Sequence, residues 1–352
     1  MLYTLYLKRI IYGVIFLFIF NVSHNLLAQE RIPDSTGFSG YVLAIPGVFI
    51  ISNNLLAGGA PLLEASGTSQ ISSIFDSPDS NSIPALPFAG ELNYTFGKSR
   101  TQLFFGNKFE DILRLDVAFR FGVRQEIGKA GILDANIIIT PLELRFWSDP
   151  YVENENRIPT ELNFPGFRIM WGQIFQTALD LTAIYREYKH EDERSGEWLV
   201  SRGRLNDNQL HLLNRDGNFY RFKALYKIKL NQHRLEPAFR YTNHNHQGDA
   251  VKNDQLTFLL DYIYLHSKMM FDIKLIYGKR KSKTIHPVYN DILRGDRYGM
   301  ALAVLFPIKL FKSTGWNILV SGEIVDENTN IDFYDSKLIG FNAGIMWRHT
   351  KK

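Results

Sequence analysis

From Gly37 onward, hydrophobic and polar residues alternate with a period of two in segments of roughly ten residues, the pattern of strands that have one apolar and one polar face. Between Asn218 and Leu230, Tyr220, Phe222, Ala224, Tyr226, Ile228 and Leu230 share one face; Arg221, Lys223, Lys227 and Lys229 share the other, with Leu225 as the exception. A helix would scatter these residues around its circumference. The same sorting sets Leu113, Leu115, Val117, Phe119, Phe121 and Val123 against Arg114, Asp116, Arg120 and Arg124. It returns where Leu256, Phe258, Leu260, Tyr262 and Tyr264 oppose Gln255, Thr257 and Asp261, and where Phe271, Ile273, Leu275 and Tyr277 oppose Asp272 and Lys274. Toward the end, Tyr298, Met300, Leu302, Val304 and Phe306 face away from Gly299, Ala301 and Ala303, and Phe341, Ala343, Ile345 and Trp347 away from Asn342, Gly344 and Arg348.

The connections alternate short and long. Short ones are Gly97 to Arg100, Gly128 to Ala130, a turn near Ile174 to Gln176, Asn231-Gln232, His266-Ser267 and Lys312 to Gly315. Long ones are Asn54 to Pro87, Asp149 to Pro165, Glu191 to Gly217, Asn243 to Asn253, Lys279 to Arg297 and Asp326 to Ser336. A soluble sandwich has no reason to show this regularity, whereas up-and-down outer-membrane barrels put short turns on the periplasmic side and long loops outside. The expected fold is therefore all-β: a transmembrane up-and-down antiparallel β-barrel of about fourteen strands, twelve being the alternative count. Pro46, Pro141 and Pro237 fall inside strands and are expected at bulges or strand ends, since each removes a ladder donor. Trp147, Tyr151, Trp171, Trp316 and Trp347 fall near strand ends and are expected in an aromatic girdle at the headgroups. A helical piece is expected at Asn206 to Leu213, within a long loop.

The N-terminus sets the compartment. Lys8 and Arg9 precede an apolar run from Ile10 to Phe20 and a small-residue exit at Leu26-Leu27-Ala28, which reads as a secretory signal cleaved after Ala28. The run is shorter than the roughly 20 residues of a spanning helix. Residues 1–28 are thus a signal peptide, and 29–352 form a single barrel in the cell outer membrane. With no cysteine in the chain, neither a lipid-anchoring thiol nor a disulfide scaffold is available. Aromatics make up 14% of a chain whose mean hydropathy is only -0.15, as expected when outward apolar and inward polar residues cancel along each strand. The net charge of +4 reads as solubility rather than nucleic-acid binding, because no basic run stands apart from the alternation.

Six stretches carry a resemblance to a known family: Ser35-Thr36-Gly37-Phe38-Ser39-Gly40, Glu91-Leu92-Asn93-Tyr94-Thr95-Phe96, Thr101-Gln102-Leu103-Phe104-Phe105-Gly106-Asn107, Gly122-Val123-Arg124-Gln125-Glu126, Asp149-Pro150-Tyr151 and Asn330-Ile331-Asp332-Phe333-Tyr334-Asp335. Together they resemble the uncharacterised Gram-negative outer-membrane family known as domain of unknown function 2860. The resemblance implies location and barrel architecture, and no substrate. Members tend to end on an aromatic residue read by the barrel-assembly machinery; here Trp347 is the candidate for that role, followed by Arg348-His349-Thr350-Lys351-Lys352.

Charges on the inward face are the candidate functional set. The basic members are Arg114, Arg120, Arg124, Arg186, Arg221, Lys223, Lys227, Lys229, Arg234, Arg240 and Lys274; the acidic ones are Asp116, Asp180, Glu236, Asp261, Asp272 and Glu323. Unpaired buried charge costs several kcal/mol, so these groups imply a wet lumen or cross-strand ion pairs. The basic excess implies a porin-like passive channel for small solutes or ions with mild anion preference; a closed barrel with a structural or surface-binding role is the alternative. An enzyme is not expected. His266-Ser267 reads as turn chemistry, and a rim-loop hydrolase would need an acid partner and oxyanion donors that nothing marks. His244 and His246 beside Asp249 read as a solvated loop rather than a metal site, and Asp326 to Asp335 as a structural turn rather than a calcium loop. No cofactor is expected; the expected partners are outer-membrane lipid, the assembly machinery and small solutes. Asn54 to Pro87, rich in Ser, Gly, Ala and Pro, is expected either inside the lumen as a constriction or outside as a loop.

Overall fold

The computed structural model describes residues 31–59, 67–107, 118–139, 144–267, 269–310 and 313–349. Fourteen antiparallel strands close into a barrel. In chain order they are β1 (Gly37–Ala44 and Gly47–Ser52), β2 (Ser80–Ala85 and Phe88–Phe96), β3 (Thr101–Asn107), β4 (Phe119–Glu126), β5 (Ile132–Ile139 and Leu144–Trp147), β6 (Pro159–Asn163 and Gly166–Gly172) and β7 (Leu179–His190). Then follow β8 (Gly217–Tyr226 and Ile228–Leu230), β9 (His233–His246), β10 (Asn253–His266), β11 (Met269–Ser282), β12 (Arg294–Leu310), β13 (Ser313–Thr329) and β14 (Ser336–His349). Each strand pairs with its neighbours in sequence, and β14 returns to β1 through Gly40↔His349 to Ala44↔Ile345 and Gly47↔Asn342 to Ser52↔Lys337.

Pro46 sits between the two segments of β1, the strand-end position expected of it, whereas Pro237 is neither at a bulge nor at a strand end. Ala44↔Phe88 and Gly47↔Ala85 keep one register on either side of Pro46, and Ala343 N donates to the Pro46 carbonyl; Pro237 pairs with Leu260 within an unbroken ladder. Each proline forfeits one donor while its neighbours hold the register. Pro141 lies outside the described residues.

Alternation assigns the two faces. Phe121, Phe222, Phe239, Leu256 and Phe341 are each at least half exposed, a band of rings and aliphatics that water would not tolerate and that bilayer hydrocarbon accepts. No described helix is long and apolar enough to cross a membrane. Leu225, the exception in its strand, points inward and packs with Ala238, Leu259 and Ile276. The turn between β8 and β9 is Asn231-Gln232, with Asn231 at φ 55°, a left-handed conformation that asparagine tolerates.

The girdle holds in part. Trp316 and Trp347 sit beside each other on paired strands at the turn end, ring centroids 6.3 Å apart, and Trp171 borders the turn after β6, its Nε1 donating to the Ala130 carbonyl. Trp147 and Tyr151 are instead buried at the loop end, 4% and 1% exposed, because loops fold over them.

Placing a charge on the lipid face tests this assignment. Phe222→Arg is expected to lower barrel stability by about 2–4 kcal/mol in urea unfolding from lipid vesicles, as a guanidinium near mid-bilayer does. Phe222→Leu is expected to stay within about 1.5 kcal/mol of the parent.

Candidate functional site: a charged lumen beneath a folded cap

Every described residue of the candidate set lies on the inward face of its strand. Arg124 is the centre of the turn-side network: its Nη1 and Nη2 donate to Glu91 Oε1 (3.0 Å) and Oε2 (2.9 Å), Nε to Asp134 Oδ2 (3.1 Å), and Nη1 also to Asn93 and Gln102. Arg120, 2% exposed, stands 3.9 Å from the same Glu91 carboxylate. Lys227 pairs with Asp180 at 2.9 Å, Arg234 with Glu236 at 2.8 Å and Lys274 with Asp261 at 3.6 Å. Lys229 lies in register with Arg234, and Asp272 with Ile263 and Ala303. Arg114 and Asp116 fall outside the described residues. Glu91, Asp134, Arg280, Arg297 and Glu327 also belong to the inward charge; Arg280, Arg297 and Glu327 escape an alternation argument because their neighbours are polar on both faces, whereas Glu91 and Asp134 stand opposite clear apolar rows, Leu92 and Tyr94 in one strand and Leu133, Ala135 and Ile137 in the other.

The register places a basic arc on β6 to β12. One inward row runs Arg168, Ile184, Arg221, Thr242, Gln255, Arg280; the next runs Met170, Thr182, Lys223, Arg240, Thr257, Gly278, Arg297. Arg221 Nε donates to Thr242 Oγ1 and its guanidinium lies over the Phe219 ring; Arg240 Nη2 donates to Thr257 Oγ1; Arg186, one inward step above Ile184, donates to the Phe164 carbonyl and covers that ring at 3.5 Å. At the far end of the arc Arg280 and Arg297 both pair with Glu327. Along these two rows, within β6 to β12, no inward residue is acidic.

Above the lumen the loops fold together. Ile74, Tyr151, Leu199, Leu205, Leu213, Ala250, Leu293, Ile331, Phe333 and Tyr334 form one buried cluster drawn from the segments 53–79, 148–158, 191–216, 247–252, 283–293 and 330–335. The segment after β1 therefore contributes to the cap: Leu56–Gly59 pairs with Leu144–Trp147, and Ile74 enters the cluster. The loop helices α1 (Glu197–Ser201) and α2 (Asp207–Leu210) belong to it as well. Asn206 caps α2 through a reciprocal box with Gln209, the expected helical piece.

Buried polar groups tie the cap segments to one another and, through Arg215, to the barrel. Asp149 accepts from the backbone N–H groups of Tyr151, Gly196 and Trp198, so one carboxylate spans two loops and caps the start of α1; burial nonetheless holds its pKa above the usual carboxylate range. Arg157 donates to the carbonyls of Asn54, Pro150 and Thr68, and burial lowers its pKa to about 10. Arg215 binds Glu193 in a fork and reaches the carbonyls of Trp147 (2.7 Å) and Ser148 (2.9 Å). At the centre Tyr151 and Tyr334 hydroxyls meet at 2.5 Å, with His286 Nε2 at 3.3 Å and 2.8 Å from them.

These contacts decide the other candidates. His244 and His246 lie on β9, stacked with Tyr188, while Asp249 pairs with Lys252, so the three do not converge. Between Asp326 and Asp335, Glu327 is taken by two arginines and Asp335 accepts from Thr329 N; Asp326 to Thr329 continue β13, and the expected turn is confined to the residues that follow. His266 ends β10 in register with Met269, beside the turn at Ser267. His286 has two phenols for partners, which is no nucleophile–acid pairing.

Residues 37–348 match a family described as "Protein of unknown function (DUF2860)". No curated protein matches the chain. Among solved structures, it is similar to an anion-selective porin from Comamonas acidovorans (9% identity, 90% of this chain and 100% of that one, TM-score 0.39). It is similar too to a FadL homologue of Pseudomonas aeruginosa (10%, 89% and 89%, 0.40) and to Pseudomonas aeruginosa OprD (9%, 92% and 97%, 0.36). Likeness at this level carries nothing about solute or mechanism.

The central histidine gives the cap a pH dependence. Burial lowers the His286 pKa to about 3, against about 6.5 once the cap opens, so the open form takes up a proton that the closed form refuses. The closed cap keeps its full stability above pH 6.5 and loses it as pH falls; one unit below, the loss is about 1.4 kcal/mol, or tenfold in open population. Asp149 and Asp335, whose carboxyls burial raises, oppose this as pH nears the carboxylate range. Hydrogen exchange of residues 286–293 is expected to quicken about tenfold from pH 7.5 to 5.5 beyond the intrinsic change, and the effect is expected to vanish in His286→Gln.

Proposed function

We propose that this chain, which belongs to the DUF2860 family of proteins of unknown function, conducts small polar solutes across the outer membrane with a mild preference for anions, and that its loop cap closes the outer mouth between passages. The observation that supports it is the basic arc: Arg168, Arg221, Lys223, Arg240, Arg280 and Arg297 share two adjoining inward rows. A barrel serving only as a scaffold can fill its interior with apolar side chains, as it does around Leu225. A one-sided row of cations instead raises the local anion concentration and sets selectivity. Partial pairing, as of Arg280 and Arg297 with Glu327, moderates the preference.

The dry core of the cap supports a second reading, a closed barrel whose folded loops present a binding surface. Both readings include export by a signal segment, residues 1–28, removed before assembly; Gln29 as the first residue of the mature protein is the expected result of N-terminal sequencing.

Conductance separates the readings. In a planar bilayer under a salt gradient, the mature protein is expected to show discrete openings with the reversal potential of an anion-preferring pore. The double variant Lys223→Glu, Arg240→Glu is expected to lower the anion-to-cation permeability ratio about threefold or more. Phe333→Ala, which loosens the cap core, is expected to raise open probability without moving the reversal potential. Silence from the parent and from Phe333→Ala alike favours the closed barrel.

A further inference from the structure

At the outer end of β7, His190 is 6% exposed, and the two ends of the following loop, 191–216, both come back to it. Its Nδ1 lies 2.8 Å from Asp216 Oδ1 and 3.5 Å from Glu193 Oε2, and the three ligand atoms all fall within 4.8 Å of one another. We propose that His190, Glu193 and Asp216 bind a divalent transition-metal ion of the zinc class, which fastens both ends of this loop to the barrel rim.

Spacing comes first. Ligands at about 2.0–2.2 Å from one tetrahedral ion stand roughly 3.3–3.6 Å apart, so the His190–Asp216 pair must open by about half an ångström, the His190–Glu193 pair already fits, and the two carboxylate oxygens, within 4.8 Å, must close by about 1.2 Å at most. Charge is the second argument. Glu193 and Asp216 carry two negative charges and Arg215, forked onto Glu193, returns one. With a neutral imidazole the cluster keeps one negative charge in a largely buried corner, which a bound cation answers.

Chemistry is the third. One imidazole nitrogen with two carboxylates suits zinc and its first-row neighbours, while magnesium and calcium prefer oxygen alone. The ligands are also held in advance of any ion. The backbone N–H of His190 donates to Asp216 Oδ1 at 2.8 Å, Asn214 receives the Asp216 N–H, and Arg215 grips Glu193 while anchored on the carbonyls of Trp147 and Ser148. Such outer partners orient metal ligands elsewhere. Among the described residues this is the one convergent set of three such donors. The chain supplies three ligands, leaving a fourth position to water or to a group on a solute.

The test uses the refolded full chain, stripped with chelator and checked for folding by heat-dependent gel mobility. Calorimetric titration with zinc chloride is expected to give one ion per chain. His190→Gln and, separately, Asp216→Asn are expected to weaken binding about tenfold or more, and Asp249→Asn to leave it unchanged. In the parent, zinc is expected to slow proteolysis within 191–216, with no such protection in His190→Gln. Should His190→Gln fail to fold, Glu193→Gln takes its place. Absence of binding by the parent, stoichiometric zinc retained by the folded ligand variants, or magnesium bound as tightly as zinc would each overturn the proposal.

Discussion

A backbone in hydrocarbon has no water to bond, so every N–H and C=O of a spanning sheet must find another strand, and an open edge is forbidden. Closure of β14 onto β1 is the contact that meets this demand, and the rest of the molecule follows from it. Once the sheet is a cylinder, each residue has one of two addresses, hydrocarbon or lumen, and a slip by one residue would exchange them all. This explains why the register runs straight through Pro46 and Pro237. Losing one donor costs far less than turning an arginine toward lipid.

Closure also imprisons whatever faces inward. Arg124 could not remain buried without Glu91 and Asp134, nor Arg280 and Arg297 without Glu327. The partners come from adjacent or next-but-one strands, β2, β4 and β5 in one case and β11, β12 and β13 in the other, so each carboxylate–guanidinium group staples three strands as well as neutralising charge. Elsewhere on the arc, Arg221 and Arg240 also donate to threonine hydroxyls, and Arg221 lies over the Phe219 ring. Along the two rows of the arc the carboxylate partner comes from β13, whereas Asp180, Glu236, Asp261 and Asp272 lie in rows nearer the turns.

Strands, their faces, the count and the sequence of turns were legible because each depends on residues near one another in the chain. Even the turn at Ile174 to Gln176 could be located, though Gln173, Phe175 and Gln176 take left-handed backbone without a glycine or proline to announce it. The cap was not legible, because its core is assembled from single residues of six separate segments. Each looks like an ordinary loop aromatic or aliphatic by itself. Trp147 and Tyr151 went to a girdle in the sequence reading for that reason, and strands such as β12 and β13 were expected to end earlier, since their upper parts are polar on both faces. One signal did point there: the stretches Asp149-Pro150-Tyr151 and Asn330 to Asp335 both carry the family resemblance, and the structure joins them through stacked Tyr151 and Phe333 and the Tyr151–Tyr334 hydroxyls.

Strand length shows why cap and barrel act together. A tilted strand needs about 9–11 residues to cross the bilayer, yet β10 and β11 have 14 and β12 and β13 have 17. The surplus stands above the membrane as a collar; Arg215, bound to the Trp147 carbonyl, joins loop to collar, while Arg215 to Ser148 and Arg157 to Asn54 tie loop to loop. A cap seated this way moves as a body only if several carbonyls lose charged donors together, each worth about 1.5–3 kcal/mol. Opening by local unfolding of one loop at a time is the less costly route. The loop 191–216 carries α1, α2 and three residues of the cap core, as many as the segment 330–335.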